Sequence, residues 1–227
     1  MAGEQDKKAA GKSPRRRSKG EQTRRRILEA VLNVIAREGT RGVTHRAVAT
    51  EAGVQLSLTT YYFKDIGDML REAFAQFSER SRPDMEMLWQ EVDNRLDRHS
   101  AAELRRQAVR QSLAQELASL ATDYLMVQIA NKPVGLAVEQ VFFTHARLSP
   151  ELRRMGQAHR QQLLEPLARL CRRFNKQDPE IDAELLLDTI TALEYQAIAM
   201  PLEQVEREFI ERLLRRHLGW IMGLKRA

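Results

Sequence analysis

A chain of 227 residues that is 43% apolar and 30% charged can bury a substantial core. No apolar run approaches the roughly 20 residues that span a bilayer. The N-terminal stretch lacks the apolar centre of a secretory signal, and the single cysteine, Cys171, excludes an intramolecular disulfide and suits a reducing cytoplasm.

The net charge of +6 is unevenly placed: residues 1–26 carry ten Lys or Arg against three Asp or Glu, a balance of +7 that leaves −1 elsewhere. Residues 1–19, rich in Lys, Arg, Ser and Gly, read as a disordered basic arm. Such an arm can be a solubilising, disordered tail when free and, on DNA, can neutralise phosphates and enter an adjacent minor groove. The first helix is expected from about Gly20 to Glu38, with Ile27, Leu28, Val31, Leu32 and Ile35 on one stripe and Gly39 as its stop.

Residues 44–63 read as two short helices about one sharp turn. Thr44 is a good N-cap, because its hydroxyl can satisfy a backbone N–H of the first turn. Val48, Ala49 and Ala52 give a narrow apolar face of small residues, which lets another helix approach closely. Gly53 supplies a left-handed stop and Val54 returns to the core. A second helix over about Ser57 to Phe63 then presents Gln55, Ser57, Thr60 and Tyr61, with Lys64 beyond, a surface suited to phosphates and base edges. Leu56 and Leu58 either meet a thymine methyl or pack inward. Asp65, followed by Asp68, starts a further helix with Met69, Leu70, Phe74 and Phe77 on its apolar side.

From about Thr23 to Leu70 the sequence resembles the DNA-binding domain of TetR-family transcriptional regulators. The resemblance rests on Ile27-Leu28-x-Ala30, Glu38-Gly39, Thr44 to Ala49, Glu51-Ala52-Gly53-Val54, the aromatic pair before Lys64, and Asp68-Met69-Leu70. It implies that Thr44, His45 and Arg46 lie near the phosphate backbone, and that Gln55, Leu56, Ser57, Leu58, Thr60, Tyr61 and Lys64 face the major groove or its phosphates. This chain departs from the family pattern at Thr59, where Leu is usual, at Ile66, often Lys, and in having Thr60-Tyr61-Tyr62-Phe63 for the commoner Tyr-x-His-Phe.

Beyond Pro83 the pattern remains helical. Pro83 is expected to begin a helix bearing Met87, Leu88 and Trp89, and Ser100 with Glu103 to form a capping box. Leu113, Leu117, Leu120, Tyr124 and Val127 then mark a helix ending near Asn131-Lys132-Pro133, and another is expected over about Val134 to Arg147. Ser149-Pro150-Glu151 starts a helix to about Phe174, Asp178-Pro179-Glu180 starts one that is apolar on more than one face, and a last amphipathic helix carries Val205, Phe209, Leu213, Leu218 and Ile221. His145, within an apolar helix, either joins Trp89, Tyr124 and Phe142 in a ligand pocket or is a locally bonded core residue.

The expected fold is all-α, with a helix-turn-helix unit over residues 20–66 and a larger helical effector-binding and dimerisation domain over residues 67–227. The five dispersed histidines fit no zinc site, and no phosphate-cradling loop or nucleophile elbow is present. No enzyme, cofactor or metal is therefore expected. The resemblance implies a cytoplasmic homodimer whose helices at about 150–174 and 180–199 pair with their copies. It also implies a repressor of a near-palindromic DNA operator, released by a small molecule of apolar or aromatic character. An effector-independent structural or occlusion protein is the competing expectation.

Overall fold

The computed structural model describes residues 14–144 and 149–224. Helix α1 (Pro14–Glu38) begins six residues before the expected start. Proline is pre-set for a first helical position, and Arg and Lys are good helix formers, so local propensity extends the helix into the basic segment. Residues 1–13 of the expected arm lie outside the described residues.

Three short elements follow. After a single 3₁₀ turn at Thr40–Gly42 come α2 (His45–Ala52) and α3 (Leu56–Tyr62). Thr44 Oγ1 accepts from Ala47 N at 3.0 Å, as the N-cap requires. Gly53 is left-handed (φ 61°, ψ 42°), its N–H reaching Thr50 O and that of Val54 reaching Ala49 O at 3.0 Å. Those two bonds close α2 in a Schellman motif. Arg26 on α1 donates to Ala52 O at 2.7 Å, so a third group fixes the same turn.

Helix α4 (Ile66–Leu96) starts on Asp65, whose carboxylate accepts from Asp68 N at 2.7 Å. It runs through Pro83 without ending, where the sequence led us to expect a new helix. A proline inside a helix removes one i→i−4 bond, here to the Glu79 carbonyl. The apolar contacts on both sides outweigh that loss: Ala73 and Phe74 are buried before it, Val92 and Leu96 after it.

Ser100 and Glu103 do form a reciprocal cap, with Ser100 N to Glu103 Oε2 at 2.8 Å and Glu103 N to Ser100 Oγ at 3.3 Å. It closes only a 3₁₀ turn at Glu103–Arg105, because Arg106 is extended and α5 (Gln107–Asn131) begins after it. Helix α6 (Pro133–Thr144) ends before the undescribed residues 145–148, so the last part of the helix expected to reach Arg147 lies outside the described residues. Ser149 caps α7 (Pro150–Arg172), accepting from Leu152 N at 3.3 Å. Helix α8 (Pro179–Ala197) lacks the expected bond from its Asp178 cap. In α9 (Arg207–Ile221) the buried stripe is Ile210, Leu214 and Leu218, one position on from the expected Phe209 and Leu213, and Phe209 is exposed.

Two apolar cores result. The first joins α1, α2 and the start of α4 with Val138 and Phe142 of α6 and Leu152 of α7. The second is built from the end of α4 with α5, Leu136 of α6, α7, α8 and α9. Phe74 of α4 and Phe142 of α6 stack with centroids 3.8 Å apart, and Gly156 lets α7 approach the α6 backbone, where an added Cβ would stand 3.1 Å from Phe142 O. Helices α4, α6 and α7 thus belong to both cores. Cys171 is fully buried in the second, and burial pushes its thiol up to about 12, so it is not poised as a thiolate. No described helix is long and apolar enough to cross a membrane.

Candidate functional site

The short helix α3 is held at the surface by residues on its inner side. Phe63 is 1% exposed, and Leu58 and Tyr62 pack half-buried against the first core. Thr59 is fully buried in place of the larger Leu expected there, and its hydroxyl donates to Leu56 O at 2.8 Å. A hydroxyl has only one proton, so at 3.0 Å from His45 Nδ1 it must accept, and His45 carries its proton on Nδ1. This chain ties the start of α2 to α3.

Outward stand Gln55, Leu56, Ser57, Thr60 and Lys64, and Tyr61 at 68% exposure. Arg46 and Thr44 are exposed on α2, whereas His45 is half-buried through its bond to Thr59. Thr60 Oγ1 donates within its own helix to Ser57 O at 3.1 Å, and Tyr61 rests edge-on against Tyr62 with centroids 5.0 Å apart. Leu58 turns largely inward, while Leu56 remains open. Between Thr40 and Lys64 the only carboxylate is Glu51. It is engaged by Arg37 at 3.1 Å and Asn33 at 3.1 Å, and Arg37 holds it below the usual carboxylate range. The surface around α3 therefore offers donors, acceptors and positive charge, and the acids just beyond it are turned to other partners, Asp65 to the α4 N-terminus and Asp68 to Arg71.

A second site lies in the body. A cavity of about 120 Å³ is enclosed by α4, α5, α6, α7 and α8 and walled by Phe77, Leu88, Trp89, Tyr124, Leu163 and Ile190. Two carboxyls face it, Glu139 of α6 (8% exposed) and Glu194 of α8 (6% exposed). Glu139 Oε2 accepts from His159 Nε2 at 2.9 Å, and Oε1 lies 3.5 Å from the Tyr195 hydroxyl. The other ring nitrogen, His159 Nδ1, is 3.1 Å from Ser78 Oγ on α4. One polar chain therefore links α4, α7, α6 and α8.

Glu194 differs: among the described residues no hydrogen bond reaches its carboxyl. Burial raises it well above the ordinary carboxylate range, and the neighbouring Glu139 raises it further. Burial and the same two acids raise the Tyr124 and Tyr195 hydroxyls as well. At the rim, Lys132 is ion-paired with Asp84.

Of the residues the sequence suggested for a pocket, Trp89 and Tyr124 line the cavity. Phe142 lies in the first core against Phe74, bordering a neighbouring cleft instead, and His145 lies outside the described residues. Glu139, His159 and Glu194 escaped sequence reasoning. The available signal was a lone acid within an apolar helical run, as in Ile190-Thr191-Ala192-Leu193-Glu194-Tyr195. Among the described residues no three His, Cys, Asp or Glu side chains are grouped to hold a metal ion.

Comparison with known proteins finds similarity in the C-terminal part of the sequence and in the overall fold. Residues 110–219 match the model of the Tetracyclin repressor-like, C-terminal domain. Among solved structures, a TetR-like transcriptional regulator from Rhodococcus sp. RHA1 superposes with a TM-score of 0.60 at 15% identity, covering 89% of this chain and 97% of its own. A TetR-family member from Streptomyces coelicolor A3 gives 0.56 at 21% identity, covering 86% and 98%. A transcriptional regulator from Saccharomonospora viridis, solved in complex with choline, gives 0.58 at 20% identity, covering 86% and 94%. No curated protein matches in sequence. Residues 110–219 thus carry a Tetracyclin repressor-like C-terminal domain, and with its helix-turn-helix head the whole chain has the fold of these regulators.

Proposed function

We propose that this protein is a TetR-family homodimeric repressor that reads a near-palindromic operator with α3 and leaves it when a small molecule enters the body cavity. The observation that carries the reading is the exposed, acid-free face of α3, held by the Schellman turn before it and the Thr59 chain beneath it. Residues 20–66 act as the reading head and residues 67–227 as the effector and dimerisation body. On this reading Tyr61, Ser57, Thr60, Gln55 and Leu56 meet base edges or their phosphates, Arg46, Lys64 and Thr44 meet phosphate, and His45 orients α3 through Thr59.

Dimerisation is supported by apolar side chains left open on one face: Ile181 and Leu185 of α8, each over half exposed, and Trp220 of α9. The outward residues of α7 are mostly charged or amide, among them Arg153, Gln157, Gln161 and Arg169. The two-fold is therefore drawn through α8 and α9 rather than α7 and α8. Such a dimer sets its heads about one DNA turn, roughly 34–36 Å, or a multiple apart. The choline-bound structure from Saccharomonospora viridis favours a small-molecule effector in this fold. A ligand acts only by binding one head spacing better than another.

Selection from a random DNA library followed by titration tests the reading. Tyr61→Ala should lower affinity for the selected operator about tenfold, the scale of one lost base contact, and leave random-sequence binding unchanged. Equal losses on both would refute base readout by α3, and a monomer in sedimentation at micromolar concentration would refute the two-headed arrangement.

A further inference from the structure

We infer that the body cavity is a site for a compact hydrophobic organic cation, a quaternary ammonium or a protonated alkylamine, held between the Glu139 and Glu194 carboxyls against the Trp89 and Tyr124 rings. This rests on the proposed regulator only for what the ligand does, not for whether it binds.

The walls are mainly apolar and aromatic, which suits a ligand with a hydrocarbon body. Aromatic faces attract cations, and do so more strongly when water is excluded. The same cavity holds two acids with a single basic partner between them: His159 serves Glu139, while nothing among the described residues serves Glu194. Lys132 is engaged by Asp84 at the rim. Arg160 is directed to Glu184 and Asp188, at 2.5 and 2.9 Å. A buried acid left without a partner is costly, and two in one cavity repel if both ionise. One positive charge arriving on the ligand removes both penalties. A neutral hydrocarbon removes neither, and an anion adds a third negative group.

A metal ion is the poorer occupant, because magnesium or calcium takes about six or more oxygen ligands and these walls supply few. The volume of about 120 Å³ is small against the roughly 300–1,000 Å³ of drug-sized pockets, so a compact head group fits best.

Binding also has a direction of pH dependence. The groups facing Glu194 are Glu139 from α6, Tyr124 from α5 and the adjacent Tyr195, with His159 of α7 acting through Glu139. Burial and the Glu139 carboxylate oppose its ionisation, so in the empty cavity Glu194 holds its proton above the ordinary carboxylate range. A cation binds the carboxylate, so the proton must leave, and affinity rises with pH by up to about tenfold per unit below the Glu194 pKa. A cation drawn to Glu139 competes with His159, whose other nitrogen meets Ser78 of α4, the helix that carries the head.

Isothermal titration of the full chain with phenyltrimethylammonium, its neutral isostere tert-butylbenzene and benzoate tests this. The ammonium ion should bind at least tenfold more tightly than either control and more tightly at pH 8 than at pH 6. Glu194→Gln should cost it at least tenfold and abolish the pH dependence while leaving tert-butylbenzene unchanged. Because Glu139→Gln disturbs the His159 chain and threatens the fold, Glu194→Gln decides the matter. Equal binding of the cation and its isostere, unchanged affinity in Glu194→Gln, or no heat with the ammonium ion overturns the inference. Operator binding is measured separately. DNA binding without ammonium binding sinks only this inference, and ammonium binding without DNA binding sinks only the regulator reading.

Discussion

The head and the body bury polar groups to opposite effect. In the head, Thr59 is fully enclosed, but its single hydroxyl gives to Leu56 O and takes from His45 Nδ1, so it is matched from both sides. In the body, Glu194 is almost as enclosed and is matched by no side chain among the described residues. A satisfied buried group selects one arrangement of the helices around it, and an unsatisfied one stores an unfavourable term that a ligand can relieve. On the proposed reading, the head is accordingly built to keep its shape and the body to change its energy when a ligand binds.

The packing that both regions share is the first place to break this comparison. Phe74→Ala removes the ring stacked on Phe142 and should cost about 3–5 kcal/mol of unfolding free energy, measured by urea denaturation followed by circular dichroism. A loss confined to one of two separate transitions would show that head and body do not fold as one.

Next in size is the matched hydroxyl. Thr59→Val keeps the shape but strands the His45 N–H, and should cost about 1–2 kcal/mol and weaken operator binding. Unchanged stability would mean that the His45–Thr59 bond is incidental.

The smallest effect, and of opposite sign, belongs to the unmatched acid. The folded-state pKa of Glu194 is raised, so its unfavourable contribution is absent below the unfolded value near 4.5 and grows as pH rises toward the folded value. Glu194→Gln should therefore raise Tm by about 2–4 °C at pH 8 and leave it unchanged at pH 4. A Tm shift that is independent of pH would place the cause in packing.

The same contrast explains what could be read from the residues alone. The head's devices act between near neighbours: Thr44 caps a group three residues on, and Gly53 closes the helix just before it. Such spacings are visible along a chain. Trp89 and Tyr124 could be proposed for a pocket from their helical stripes. Glu139 and Glu194 stand 55 residues apart on different helices, and each alone resembles a surface acid. Their encounter is decided by how α6 and α8 cross. Local rules also gave too much weight to Pro83 and to Ser100 with Glu103, because packing carried α4 past the first and an extended Arg106 stopped the second at one turn.

Pro83 has a mechanical meaning as well. It falls between the turns that hold Phe74 and Phe77 and those that hold Met85 to Trp89, and it leaves one rung of α4 unmade. Flexure of the rod is cheapest at that rung, which makes it a pivot. From there to Ile66 the lever is roughly 25 Å long, so a swing of about 10° carries its tip about 4 Å. That distance exceeds the reach of a hydrogen bond, so on the proposed reading a modest bend beside the cavity is enough to take α3 off its bases.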